Sequence, residues 1–244
     1  MKLQKIIEII ETIAPAQDAC EWDNVGLMIG SPDNEISKIV ISLDFDDNAV
    51  EYAVNHKADL IITHHPAIFK PLKNITDQCI IKAIKNDISV FSAHTNLDAA
   101  IGGVNFALAD KLGMYDCTQY GMMRVGYVTE EKYADIIGKV KQCLEVSALR
   151  IVGDVEKSIR KIAVIGGAGG DFVNEAYKLG CDLLITGECK YDQAQNAFKT
   201  GISLISAGHF ETENPVVSKL CKILQNRLNI DVEEVTPRNI FEII

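Results

Sequence analysis

Two adjacent histidines stand directly after a short apolar run. His64 and His65 follow the apolar residues 60–62 and precede Pro66, and these lengths and bounding residues indicate a buried strand rather than a helix. In open α/β sheets, ligands collect beyond the carboxyl ends of the strands, so this pair is placed for binding rather than for core packing. Because imidazole is a common metal ligand, each histidine could hold one of two neighbouring metal ions. The alternative is a pair of surface histidines in a loop.

Further imidazoles and carboxylates follow other predicted strands. Four of the five histidines in the chain lie at such strand ends, and only His56, in a helix, lies elsewhere. The polar residues at these ends, besides the first pair, are His94, Asp98, Glu188, His209 and Glu213. Their recurrence at one kind of position predicts a shared site.

The residue types in this set indicate metal chemistry. Imidazoles mixed with carboxylates, without a thiolate among them, suit a borderline or hard divalent ion such as zinc, manganese or iron. Asp98 and Glu213 could bridge two such ions about 4 Å apart, the spacing typical of two-metal hydrolases. Pro215 predicts that a helix begins only near Glu213, which places His209 in the preceding turn. Either His94 or Glu188 could transfer a proton in such a site.

A glycine-rich turn lies between a strand and a helix of the second half. Its sequence, Gly166-Gly167-Ala168-Gly169-Gly170-Asp171, lacks the Gly-Lys-Ser/Thr ending of a P-loop and does not match the G-x-G-x-x-G fingerprint. Backbone N–H groups in such a turn can cradle an anion, so the turn could contact phosphate or substrate. It could equally be no more than a tight turn.

The elements that position these residues come from an internal repeat. A shift of 123 positions lays residues 38–63 on residues 161–186 with eight identical pairs, and residues 88–93 match residues 202–207. Each half alternates strands and helices, which predicts an α/β fold with a mainly parallel sheet flanked by helices in each half. We therefore predict two similar α/β domains, 1–120 and 121–244, whose equivalent strand ends share a metal-binding crevice.

Trp22 is the single tryptophan of the chain. It precedes an Asp-Asn turn that leads into an apolar strand near residues 25–30. Since large aromatic side chains dominate core packing, we predict that Trp22 anchors the core beside this turn rather than taking a direct role in a site.

The overall composition limits the classes of function. With 244 residues, 48% of them hydrophobic, and a mean hydropathy of +0.09, the chain is typical of a globular protein. The net charge of -10 argues against nucleic acid or an anionic membrane as a partner, since either requires a basic face.

The seven cysteines include no C-x-x-C pair, which favours reduced thiols. The first helix, near residues 2–13, lacks the apolar core of a signal peptide, so we expect a cytoplasmic protein.

Several motifs together resemble the GTP cyclohydrolase 1 type 2 homolog family, also called the Ngg-interacting-factor-like family. The resemblance covers essentially the whole chain and rests on these stretches: Trp22-Asp23-Asn24-Val25-Gly26-Leu27, Thr63-His64-His65-Pro66, His94-Thr95-Asn96-Leu97-Asp98, Ile185-Thr186-Gly187-Glu188, and Gly208-His209 with Glu213. One departure follows the last glycine-acid turn, where many members have Lys-Tyr-His and this chain has Lys190-Tyr191-Asp192.

The resemblance implies a function for the same residues. It implies two divalent metal ions per subunit, held by His64, His65, Asp98, His209 and Glu213, and a toroidal homohexamer built of dimers. Two hypotheses follow. The chain is a metal-dependent, GTP cyclohydrolase-like hydrolase of a small nucleotide-like substrate, or it is a non-catalytic metal-binding or regulatory hexameric scaffold. Nucleic-acid binding would need lysines and arginines on the inner wall of the ring.

Overall fold

The structure, a computed structural model, describes residues 1–242. Residues 3–99 form α1 (Leu3–Glu11), β1 (Gly26–Ile29), β2 (Lys38–Ser42), α2 (Asp47–Asn55), β3 (Leu60–Thr63), α3 (Gln78–Lys85), β4 (Ser89–Ser92) and α4 (Thr95–Ala99). Residues 104–213 form α5 (Val104–Lys111), β5 (Tyr115–Tyr120), β6 (Met123–Lys132), α6 (Tyr133–Leu144), β7 (Arg150–Val152), β8 (Ser158–Ile165), α7 (Val173–Lys178), β9 (Leu183–Thr186), α8 (Tyr191–Thr200), β10 (Ser203–Ser206) and α9 (His209–Glu213). The last described elements are α10 (Pro215–Arg227) and β11 (Asp231–Glu234).

The chain divides into two compact units, each with its own sheet and core. Unit 1 contains Met1–Gly103 and Val217–Arg238, and its five-stranded sheet has the order β1-β4-β3-β2-β11. Unit 2 contains Val104–Val216 and the described residues from Asn239 onward, and its six-stranded sheet has the order β5-β6-β8-β9-β10-β7. This confirms the predicted fold class of two sheets flanked by helices. The sheet of unit 1 is mainly parallel, as predicted, whereas three of the five strand pairs in unit 2 are antiparallel, because β5, β6 and β7 add antiparallel strands around the repeated core.

The boundaries of these units differ from the predicted domains 1–120 and 121–244. Helix α5 packs against β8, and β5 pairs with β6, so residues 104–120 belong with unit 2. Strand β11 pairs in parallel with β2, so residues 217–238 return to unit 1. The first difference comes from the packing of α5 on β8 and the second from the pairing of β11 with β2, and local patterns encode neither long-range contact.

The internal repeat is visible in the strand register. In unit 1, Ile39 pairs with Leu60, and in unit 2 the equivalent Ile162 pairs with Leu183. The next strand repeats as well, because β3 and β4 pair in parallel as β9 and β10 do. All residues of β3, β4 and β9 are buried, as expected for central parallel strands covered on both faces.

A repeated aspartate explains part of this similarity. Asp59 Oδ2 accepts hydrogen bonds from the backbone N–H groups of Ser37 at 2.7 Å and Lys38 at 3.1 Å. Asp182 Oδ2 accepts from the equivalent N–H groups, of Arg160 at 3.0 Å and Lys161 at 2.9 Å. Each carboxylate therefore fixes the start of the neighbouring strand in its own sheet.

Apolar stripes attach the helices to the sheets. Helix α1 buries Leu3, Ile6 and Ile10. Asp46 and Asp77 immediately precede α2 and α3, and their carboxylates accept hydrogen bonds from backbone N–H groups in the first turn of each helix. Each of the seven cysteines carries a free thiol. Among the helices that the structure describes, none combines the length and the apolar composition needed to cross a bilayer.

Candidate metal centre

Three histidines meet at one edge of the sheet in unit 1. His64 and His65 follow β3, and His94 follows β4, its parallel neighbour. The ring centroid of His64 lies 5.0 Å from that of His65 and 5.1 Å from that of His94. One ligand atom from each ring lies within 4.8 Å of the other two, so these histidines could hold a metal ion. The strand-end argument therefore correctly brings these residues together.

The same nitrogen of each ring contacts an oxygen acceptor. The pairs are His64 Nδ1 with the Ala93 carbonyl oxygen at 3.0 Å, His65 Nδ1 with Asp44 Oδ1 at 2.6 Å, and His94 Nδ1 with Asp23 Oδ1 at 2.8 Å. A backbone carbonyl can only accept, so Nδ1 of His64 carries the proton and Nε2 carries the lone pair in the neutral ring. Metal-binding histidines typically donate their second N–H in this way, which fixes the tautomer and the ring orientation.

Asp98 adds a carboxylate to these imidazoles. Its backbone N–H donates to the carbonyl of His94 at 3.0 Å, which forms the first turn of α4. Asp98 Oδ1 lies 3.8 Å from His64 Nε2. The donor set of three imidazoles and one carboxylate suits zinc, manganese or iron.

The Asp23 carboxylate is fully buried and ionised. Burial alone would raise its pKa, but hydrogen bonds from Thr95 and His94 outweigh that effect and lower the pKa of Asp23. Burial also lowers the pKa of His94, helped by the neighbouring His64 and opposed by the hydrogen bond to Asp23. At neutral pH His94 is therefore a neutral imidazole, the form that can bind a metal.

In unit 2, His209 and Glu213 lie one turn apart on α9. His209 Nε2 is 3.1 Å from Glu213 Oε2, and His209 Nδ1 is 3.2 Å from Glu188 Oε1. The prediction that His209 lies in a turn before a helix beginning at Glu213 is wrong. Pro215 is the first residue of α10, but a separate short helix, α9, already precedes it, and Asn214 between the two keeps helical backbone angles.

Gly167 leaves room for the Glu213 carboxylate. A Cβ at position 167 would lie 2.1 Å from Glu213 Oε1, and the backbone there has a φ of +60°. The amides of this turn are used within unit 2: Gly167 N–H donates to Thr212 Oγ1 at 3.1 Å, and Gly169 N–H donates to Thr186 Oγ1 at 3.0 Å. The glycine at position 167 is thus better explained by the room it leaves for the Glu213 carboxylate than by anion binding to the backbone N–H groups of the turn.

A cavity of about 610 Å³ in unit 2 borders His209. Its charged lining residues are the basic Arg150 and Lys190 and the acidic Asp171, Glu188, Glu211 and Glu242. The volume falls in the range of pockets that bind small molecules and cofactors. Asp192 is exposed in the first turn of α8, where the helix dipole favours a carboxylate.

Trp22 is 63% exposed, so the prediction that it anchors the core is wrong. Its ring meets the ring of His94 edge to face at a centroid distance of 6.3 Å, and that of Phe69 at 6.0 Å. Trp22 lies in a turn closed by the N–H of Asp23, which donates to the carbonyl of Cys20 at 2.9 Å, while the carboxylate of Asp23 is itself buried.

Sequence reasoning did not identify Asp44 and Asp23 as partners of the histidines. Asp44 follows β2, the parallel neighbour of β3, so the strand-end rule could have found it. Asp23 instead precedes β1, which runs antiparallel to β4. The amino end of an antiparallel edge strand lies at the same sheet edge as the carboxyl ends of its parallel neighbours, and this relation requires the topology to be known.

Comparisons with known proteins agree with this architecture. The model of the family Duf34/NIF3 (NGG1p interacting factor 3) matches residues 1–239. A Clostridium perfringens protein named GTP cyclohydrolase 1 type 2 homolog is 39% identical, with 98% of this chain and 97% of that protein covered. A Clostridium acetobutylicum protein of the same name is 35% identical, with 94% and 91% covered. The crystal structure of a hypothetical protein from Staphylococcus aureus matches with a TM-score of 0.95 at 28% identity, covering 100% of this chain and 99% of that chain.

Proposed function

The chain belongs to the Duf34/NIF3 family, and from this premise we propose that it is a metal-dependent hydrolase of a small nucleotide-like molecule. The proposed ligands of two divalent ions, zinc, manganese or iron, are His64, His65, Asp98, His209 and Glu213. One observation carries the proposal: ligand atoms of His64, His65 and His94 lie within 4.8 Å of one another, and Nδ1 of each ring contacts a carbonyl or carboxylate oxygen, as in metal-binding histidines.

The residues present fit such ions. Imidazoles and carboxylates are the ligands that catalytic zinc, manganese and iron sites use, and the carboxylates can also bridge two ions. Divalent ions bound there would supply Lewis acidity, which acidifies water and stabilises developing negative charge. The prediction that ligands of both halves share one pair of ions stays a prediction.

Glu188 is the better candidate for proton transfer. Its side chain is 55% exposed, lines the cavity of unit 2, and lies with Oε1 3.2 Å from His209 Nδ1. His94, by contrast, is tied to the buried carboxylate of Asp23 and belongs to the three-histidine group. We therefore assign proton transfer to Glu188 and a possible ligand or orienting role to His94.

The cavity of unit 2 has room for a small substrate. Its volume of about 610 Å³ is sufficient for a molecule of nucleotide size, and Arg150 and Lys190 are the basic residues of a lining that also contains Asp171, Glu188, Glu211 and Glu242. The relatives' shared name, GTP cyclohydrolase 1 type 2 homolog, favours a nucleotide among the molecules of that size.

Turnover by the metal-loaded protein tests the proposal. Purified protein loaded with zinc, manganese or iron is incubated with GTP and a panel of nucleotides, and release of formate and phosphate is measured. We expect turnover that Asp98→Ala abolishes and that Asp135→Ala, an exposed helical carboxylate replaced in the same way, leaves intact. Absence of turnover with every metal and nucleotide contradicts the proposed hydrolase.

The alternative is a non-catalytic metal-binding or regulatory scaffold, assembled as a homohexamer of dimers. The burial of two proposed ligands favours it, since His64 is 2% and Glu213 is 4% exposed, and structural metal sites are closed to solvent. Under this alternative, Asp98→Ala removes metal and changes the molar mass in light scattering, while the wild-type protein shows no turnover. A ring of six would have six times the 26.8 kDa mass of the chain.

A further inference from the structure

Two large aromatic side chains stand exposed beside the histidines of unit 1. Trp22 is 63% and Phe69 is 44% exposed, and both rings meet His94 edge to face, at centroid distances of 6.3 Å and 6.2 Å. The two rings also meet each other at 6.0 Å with an angle of 64° between their planes. We name Trp22 and Phe69 the aromatic corner. It gives no ligand to a metal, so the proposed metal centre does not explain it.

The backbone that carries the aromatic corner is fixed. On one side of Trp22, the N–H of Cys20 donates to Thr95 Oγ1 at 2.9 Å. On the other side, Asp23 accepts hydrogen bonds from His94 and Thr95. Asn24 Nδ2 donates to the carbonyl of Ile68, the residue before Phe69, at 2.5 Å. The corner is thus held in place before any ligand arrives.

An exposed indole fixed in this way forgoes the stabilisation that burial would give. Trp side chains contribute most when they are buried, and exposed aromatic groups that cluster usually mark a contact surface. The neighbouring groups in unit 1 are imidazoles and carboxylates, which suit a small polar molecule. A flat ring with polar substituents can stack on the indole and still present its substituents to those groups.

We propose that Trp22 is the stacking residue for a planar heteroaromatic ring of the substrate, with Phe69 as the second wall of the corner. The inference rests on the proposed function, since it names the part of the substrate that the metal centre would process. Because the centroids of Trp22 and His94 are only 6.3 Å apart, a ring stacked on the indole places the bonds attached to it beside the histidines. A ligand without a flat ring lacks this contact.

The single tryptophan makes the test specific. Emission excited at the red edge of the protein absorption band, where the seven tyrosines absorb little, reports Trp22 alone. Titration with guanosine monophosphate should quench or shift this emission, while ribose 5-phosphate, which has the same charged tail and no base, should not. In calorimetry, Trp22→Ala should weaken guanosine monophosphate binding at least about tenfold, and Trp22→Phe, which keeps an aromatic face, should weaken it less. Phe198→Ala, which removes a 77% exposed aromatic ring from unit 2, is the matched control and should bind normally.

The outcomes separate this inference from the proposed hydrolase. Zinc affinity and thermal stability should be unchanged in Trp22→Ala, which shows that the fold and the metal ligands are intact. Quenching without any turnover supports the stacking role and contradicts the hydrolase. Unchanged emission with guanosine monophosphate and with free purine, pterin and pyridine rings overturns the stacking role, as does equal binding by Trp22→Ala. An emission change that follows protein concentration alone also overturns it, because the corner would then be an interface between copies.

Discussion

Replacement of Gly167 by alanine should displace a proposed metal ligand without removing it. The added Cβ would lie 2.1 Å from Glu213 Oε1, whereas ordinary contact begins at 3.4 Å. The carboxylate must therefore retreat by about 1.3 Å, against neighbours that leave Glu213 only 4% exposed. Gly180→Ala is the matched control, since Gly180 has a similar φ of +72° and its Cβ would meet nothing within 4 Å.

Both variants should lose folding stability through the left-handed backbone, and only Gly167→Ala should also lose zinc affinity. A left-handed backbone costs a residue with a Cβ about 1–2 kcal/mol, so both variants should lose that much free energy of unfolding. For a chain of this size, each kcal/mol lowers the melting temperature by about 2–4 °C. Only Gly167→Ala should also lose zinc affinity, by at least about 10–100-fold, or about 1.4–2.7 kcal/mol, the range measured when a group that orients a metal ligand is removed.

Competition with a chromophoric chelator measures the zinc affinity, and thermal unfolding of the metal-free proteins measures the shared cost. We expect both variants to melt below the wild type, with Gly167→Ala the lower because its displaced carboxylate also disturbs packed neighbours, and weak zinc binding only in Gly167→Ala. Wild-type zinc affinity in Gly167→Ala would refute the reasoning, since Glu213 would then not need its place beside the glycine-rich turn. Equal loss in Gly180→Ala would show that backbone strain alone causes the effect.

Three further predictions follow from contacts in the structure. Asp23→Asn weakens the hydrogen bond that orients His94, so zinc affinity should fall about 10–100-fold. Competition with a chelator measures this affinity, and Asp135→Asn is the control that should keep it. An unchanged affinity in Asp23→Asn would exclude His94 as an oriented ligand. The metal-free protein should lose stability in urea unfolding as the pH falls below about 6.5, because unfolded His94 takes up a proton that the folded side chain, with its lowered pKa, resists. His94→Gln should flatten this dependence, and an equally steep one would contradict the assignment. Asp59→Ala and Asp182→Ala should each cost about 1–2 kcal/mol of unfolding free energy, with the larger loss for Asp59, which also accepts a hydrogen bond from Ser37 Oγ. Zinc affinity should be retained in both, since each carboxylate only fixes a neighbouring strand, and a loss of zinc affinity in either variant would contradict this role.

The repeat and the unit 1 histidine cluster could be predicted because both can be read from residues that follow one another directly in the chain. A buried strand has a recognisable apolar run, and its carboxyl end follows directly in the chain, so His64, His65 and His94 could be placed from the pattern alone. The shift of 123 positions reappears in the structure as equivalent strand registers in the two sheets.

The remaining features depend on contacts between distant segments. The exposed Trp22 is followed by Asp23, whose carboxylate contacts His94, 71 positions away in the chain. Strand β11 leaves the second half and pairs with β2, which no periodicity predicts. The local signal at Pro215 was misleading, because a proline that starts one helix can directly follow another. Propensity describes single segments, and long-range pairing decides where they lie.

Elemental analysis of protein purified without added metal tests the central claim most directly. The wild-type chain should carry two divalent ions of zinc, manganese or iron, and His64→Ala, Asp98→Ala and His209→Ala should each reduce that content, while His56→Ala, which removes the histidine at the end of α2, should not. Wild-type protein with well below one ion per chain, even after incubation with each metal, would contradict the account. Metal content that is the same in all four variants would contradict it equally.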